Sequence, residues 1–189
     1  MGMEHKKTGE RVGWGKRLLL LFFLILLPFL LASPPRLTAR PGLDSVNGPK
    51  VIVLNYHKID NMHISLSVKP EDFERQMKYL TEHNFHSITP QELYAALVGG
   101  AELPENPVLI TFDDGYVDNY EKAYPILKKY GFKATILVVT EMVGKKKGYL
   151  TWEQLREMEQ NGFSIEGHTM THRALTSLTD DEVKEELSA

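Results

Sequence analysis

Apolar and polar positions along residues 51–189 follow two alternating rhythms. Short apolar, β-branched runs at Val51–Tyr56, Val108–Phe112 and Lys133–Thr140 predict strands, with weaker strands at Phe85–Ile88 and Phe163–Glu166. Between them lie helical patterns. Pro70 can open a helix whose Phe73, Met77 and Leu80 fall on one face. Thr89-Pro90-Gln91-Glu92, Thr151-Trp152-Glu153-Gln154 and Thr179-Asp180-Asp181-Glu182 each have the capping-box form. In that form a Thr oxygen and an acid or amide three residues on satisfy each other's free backbone N–H groups. Gly99-Gly100 and Gly162 stop the first two of these helices. Residues 118–130 also read as helical, with a break or restart expected at Pro125 and an end at Gly131.

Strands alternating with helices predict an α/β fold around a parallel sheet or barrel. In such folds the chemistry gathers beyond the C-terminal ends of the strands, so the polar residues after each strand are the candidates.

Composition adds two constraints. The chain has 189 residues and no Cys, which excludes a disulfide scaffold and any thiolate metal site, so a metal must be held by His, Asp or Glu. The net charge of -3 hides an asymmetry. Residues 1–50 carry eight Lys/Arg against three Asp/Glu, whereas residues 51–189 carry fourteen against twenty-two. An acidic body does not suit a phosphate backbone, so no nucleic-acid partner is expected. The basic head (1–17) precedes an unbroken apolar run, LLLLFFLILLPFLLA, over residues 18–32. That order is the pattern of a signal peptide or an uncleaved signal anchor. The positive-inside bias then puts the body outside the cell, membrane-anchored or secreted if the leader is cleaved. Residues 33–50, rich in Pro, Gly and Ser, read as a linker.

Two strand ends carry chemistry. Asp113-Asp114-Gly115 follows the strand at 108–112, and His168-Thr169-Met170-Thr171-His172 follows the strand near 163–166. Taken singly, the first reads as a solvated turn and the second as a surface pair. Together, at neighbouring strand ends, they put a carboxylate and two imidazoles at one rim, a site that suits a divalent metal with positions open to water and substrate. His57, after the first strand, can line the same rim. His63, His83 and His86 read as surface or loop residues.

The motifs TFDDGY (111–116) and GHTMTH (167–172), with the stretches NYEKAYPILKKYGFKATILVVT and YLTWEQLREMEQNGFSIEGHTMTHRAL, resemble the polysaccharide deacetylases with the NodB homology domain, carbohydrate esterase family 4. The resemblance spans about residues 51–189. It implies a partial, distorted (β/α) barrel, preceded here by the N-terminal hydrophobic helix. It implies that Asp113 is the general base and that Asp114, His168 and His172 hold the metal, usually zinc, with cobalt able to substitute. The implied reaction is hydrolysis of N-acetyl groups on the N-acetylhexosamine units of an extracellular or cell-wall polysaccharide. Tyr56-His57 resembles the branch acting on exported poly-N-acetylglucosamine.

The chain stops at Ala189, soon after the second motif, and the family's later motifs have no counterpart in it. The expectation is therefore the N-terminal part of a deacetylase domain, without the family's oxyanion-hole donor or leaving-group acid. The alternatives are an inactive glycan- or metal-binding remnant and, since two His and a carboxylate also suit Fe(II), a non-haem iron oxygenase.

Overall fold

The computed structural model describes residues 50–188. The basic head, the apolar segment 18–32 and residues 33–49 of the linker lie outside them. No helix among the described residues is long and apolar enough to cross a membrane.

Strand β1 (Ile52–Tyr56) is followed by two short strands, β2 (Lys58–Ile59) and β3 (Ser67–Val68), that pair with each other. Helix α1 (Pro70–Glu82), strand β4 (His86–Ser87), helix α2 (Pro90–Gly99) and strand β5 (Pro107–Phe112) come next. A π-helical turn at Asn119–Ala123 leads into helix α3 (Tyr124–Tyr130). Strand β6 (Thr135–Val138), helix α4 (Trp152–Gln160), strand β7 (Ser164–Gly167), a 3-10 turn at Leu175–Ser177 and helix α5 (Asp180–Leu187) complete the order.

The main sheet runs β1-β5-β6-β7, every pairing parallel, and β4 pairs with the start of β5. A parallel sheet puts all its C-terminal ends at one edge. Tyr56, Phe112, Val138 and Gly167 therefore deliver His57, Asp113, Val139 and His168 to the same rim.

The packing explains the pattern. Val108, Ile110 and Phe112 alternate along β5 with no exposed surface and join Phe73 and Met77 of α1 and Leu127 of α3 in one core. Directly beneath the rim, Tyr56, Phe73 and Phe112 form an aromatic triangle with centroids 5.1, 5.4 and 5.8 Å apart. Rings of this size contribute about 1.5–3 kcal/mol each when buried. They give the rim a rigid floor.

All three capping boxes form. The Thr89, Thr151 and Thr179 oxygens accept from the backbone N–H of Glu92, Gln154 and Glu182, whose side chains accept from the Thr N–H groups in return. Pro125 does not break its helix. Tyr124 N–H donates to Asn119 O, a five-residue reach, and Pro125 then falls in the first turn of α3, where a missing N–H costs nothing. The strand expected over 133–140 is shorter, Thr135–Val138, because Val139 and Thr140 already turn toward the rim.

Candidate metal centre

Asp114 and Gly115 both adopt the left-handed region, at φ 73° and 75°. Two such residues in succession turn the chain sharply off the end of β5. Their carbonyls are then satisfied by neighbours at the rim: Val139 N–H donates to Asp114 O (3.5 Å) and Leu150 N–H to Gly115 O (2.9 Å). The turn drives the Asp114 side chain inward, leaving the residue 7% exposed.

The His-bearing loop is held with similar care. His168 N–H donates to Val138 O (2.7 Å), continuing the sheet. Thr169 (φ 64°) and His172 (φ 65°) are left-handed as well, which non-glycine residues adopt only when their surroundings over-determine them. Here Thr140 N–H donates to Thr169 O, Glu141 N–H to Met170 O, and His172 N–H to Thr169 Oγ1 at 3.1 Å. The result is a tight loop with both rings on one side, their centroids 5.0 Å apart.

The Nε2 atoms of His168 and His172 stand 3.7 and 3.4 Å from Asp114 Oδ1. These separations decide what the cluster is. They are too long for hydrogen bonds, and Asp114 Oδ1 is buried without a hydrogen-bond partner among the described residues. An orphaned buried carboxylate oxygen is costly. Tetrahedral ligand atoms about 2.1 Å from one cation stand about 3.4 Å apart. The three donors, with ligand atoms all within 4.8 Å of one another, thus fit a divalent ion with room for further ligands.

Asp113 is separate from this trio. Its N–H donates to Tyr56 O (2.9 Å), and its Oδ2 accepts from Asn55 Nδ2 at 3.0 Å. Asn55 is oriented by Thr111, whose hydroxyl donates to Asn55 Oδ1 at 3.2 Å. The imidazole of His57 lies 3.7 Å from Asp113 Oδ2. Asp113, Asp114 and the two His all reach the rim as the sequence suggests, and so does His57. His63, His83 and His86 contribute nothing to the cluster.

Three further groups were hidden in the sequence. Tyr116 packs against Tyr149 (5.1 Å) with the Lys58 ammonium over its ring at 4.3 Å. Burial first, then the charge of Asp114 and the proximity of Tyr149, hold its phenol above the usual range, so it stays protonated. Asp118 accepts from Lys58 Nζ (2.5 Å) and Ile59 N–H (3.0 Å), while Asn119 Nδ2 donates to His57 O at 2.8 Å. This clamp ties the His57 segment to the Asp113-Asp114 turn. Asn55 sits inside VIVLNY, where nothing but the register with β5 marks it.

Comparison with known proteins agrees with this geometry. Residues 100–189 match the family model described as polysaccharide deacetylase. The Bacillus subtilis (strain 168) protein YxkH, whose name places it with the polysaccharide deacetylases, is 45% identical over 139 residues, 74% of this chain and 49% of its own. A poly-β-1,6-N-acetyl-D-glucosamine N-deacetylase of Staphylococcus aureus (strain MSSA476) is 32% identical over 139 residues, 62% of this chain and 47% of its own. The solved structure of the Streptococcus pyogenes deacetylase PplD in complex with acetate superposes with a TM-score of 0.70 at 34% identity, over 74% of this chain and 65% of that one. The chain spans about half the length of the curated relatives it matches. With the paired motifs, the parallel sheet and the Asp-His-His cluster in agreement, the chain belongs to the polysaccharide deacetylase family.

Proposed function

We propose that this chain carries the metal site and general base of a hydrolase that removes N-acetyl groups from an exported N-acetylhexosamine polymer. The observation that carries the reading is the buried, unpartnered Asp114 Oδ1 facing two imidazole nitrogens at ion-coordinating separations. Zinc suits two imidazoles and a carboxylate, with cobalt able to substitute. When bound, such a cation lowers the pKa of water and polarises the amide carbonyl.

The chain's own residues divide the remaining work. Asp114 is committed to the cation, which leaves it a poor base. Asp113, the adjacent carboxylate, is free to take the proton of the attacking water, and the Asn55 amide holds its Oδ2 in place. As the C–N bond breaks, the departing nitrogen needs a proton. His57, an imidazole beside Asp113, is positioned to supply it. This assignment replaces the expectation that the leaving-group acid lies outside the chain. The products are acetate and a free amine on the sugar.

In the same reading the parallel sheet is one arc of the distorted barrel expected from the family resemblance. The basic and apolar leader of residues 1–32 delivers the domain to the outer face of the membrane. A β-1,6-linked N-acetylglucosamine polymer is the favoured substrate, supported by the Staphylococcus aureus relative. The test is acetate release from β-1,6-linked N-acetylglucosamine oligomers by the zinc-loaded protein. Wild type should release acetate, and Asp113→Asn should keep its zinc and lose activity. A zinc-loaded wild type that releases none would overturn the reading. Equal zinc loss in Asp113→Asn would overturn the division of labour between the two aspartates.

A further inference from the structure

Glu186 lies near the C-terminal end of α5 and has no exposed surface. A buried carboxylate needs compensating donors, and a buried ion pair is weak evidence for stability alone. The identity of its donors is informative. Oε2 accepts from Thr171 N–H at 2.8 Å, and Oε1 accepts from Arg173 Nε at 2.8 Å and from the Thr171 hydroxyl. The Glu186 backbone carbonyl accepts from Met170 N–H at 3.0 Å. All of these donors belong to residues 170–173, the segment that carries His172.

That segment is strained, with left-handed φ at Thr169 and His172. It is held on one side by Thr140 and Glu141 and on the other by Glu186. We propose that Glu186 is a positioning residue for the metal centre, fixing the backbone of residues 170–173 so that the His172 imidazole faces Asp114. The proposal rests on the metal reading of Asp114, His168 and His172. Glu186 touches none of these side chains and acts through the loop.

A neighbouring acid separates this role from simple helix stability. Glu182 caps α5 through Thr179 and pairs with Arg173 Nη1 at 3.2 Å, and its hydrogen bonds involve neither Met170 nor Thr171. Loss of Glu182 therefore weakens the helix without releasing the loop. The experiment compares wild type, Glu186→Gln, Thr171→Val and Glu182→Ala in the full chain. Zinc affinity is read by competition with a chromophoric chelator, coordination geometry by the visible spectrum of the Co2+ form, and folding by the melting of the metal-free protein.

Glu186→Gln is expected to weaken zinc binding by about 10-fold or more, as loss of groups behind metal ligands does. It should also change the Co2+ absorption bands, and Thr171→Val should act in the same direction. Glu182→Ala should lower the melting temperature with affinity and spectrum unchanged. Unchanged zinc affinity in Glu186→Gln, or an equal loss in Glu182→Ala, would overturn the proposal. Should Glu186→Gln fail to fold, Thr171→Val decides in its place. A wild type that binds no zinc would instead overturn the metal reading itself.

Discussion

The left-handed turn at Gly115 is the joint on which the site hangs, and adding one methyl there tests it. A Cβ at Gly115 would lie 3.0 Å from Val138 Cγ1, 3.3 Å from its Cβ and 3.4 Å from its Cα. Val138 belongs to β6 and is 3% exposed, so it cannot swing away, and the third contact is with backbone. Two costs add. Holding alanine at φ 75° costs about 1–2 kcal/mol, and forcing a methyl into packed surroundings costs about 1–3 kcal/mol. Gly115→Ala should therefore destabilise the fold by about 2–5 kcal/mol. At this size that lowers the melting temperature by about 6–20 °C.

Urea and thermal melts of the metal-free protein measure the loss directly. A double variant divides it. Val138→Ala removes the clash and leaves the backbone strain, so Gly115→Ala with Val138→Ala should lose less stability than the two single changes summed. Simple additivity would show that the contact is not the cause. A Gly115→Ala protein within about 0.5 kcal/mol of wild type would refute the argument from geometry.

Two further outcomes follow from charges packed near the site. Lys58→Met leaves Asp118 partly buried without its cation and should cost about 2 kcal/mol in a urea melt at neutral pH, while Ile59 N–H still donates to it. Hydrogen bonds from the Thr171 hydroxyl and N–H, then Arg173, pull the Glu186 carboxyl down from its ordinary 4.5 to about 2. A depressed acid contributes stability that is complete above 4.5 and is lost as the pH falls toward 2. Acid denaturation of wild type should therefore include a component in that window that Glu186→Gln lacks, and identical acid profiles would contradict it.

What could be read from the sequence was local. The three capping boxes were legible because Thr and Glu or Gln three residues apart satisfy each other without help from the rest of the fold. The metal donors were legible because parallel strands deliver the residues after them to one edge, whichever helices intervene. Pro125 was misjudged because a π turn, set by the Tyr124 to Asn119 bond, moves the proline into a permissive first turn. The β2–β3 pair was invisible, since two-residue strands carry no periodicity. Glu186 was missed for a physical reason. In DDEVKEEL it looks like one more solvated acid, and only the folding of residues 170–173 against α5 buries it. Asn55 was missed because its amide acquires a role only when β1 registers with β5 beside Asp113.

The central claim is that Asp114, His168 and His172 share one divalent ion. Anomalous diffraction at the zinc edge, from crystals of the zinc-loaded protein, tests it most directly. The account predicts a single strong peak about 2.0–2.2 Å from a carboxylate oxygen of Asp114 and from the Nε2 atoms of both histidines. No peak between those three side chains, or the strongest peak on other residues, would contradict it.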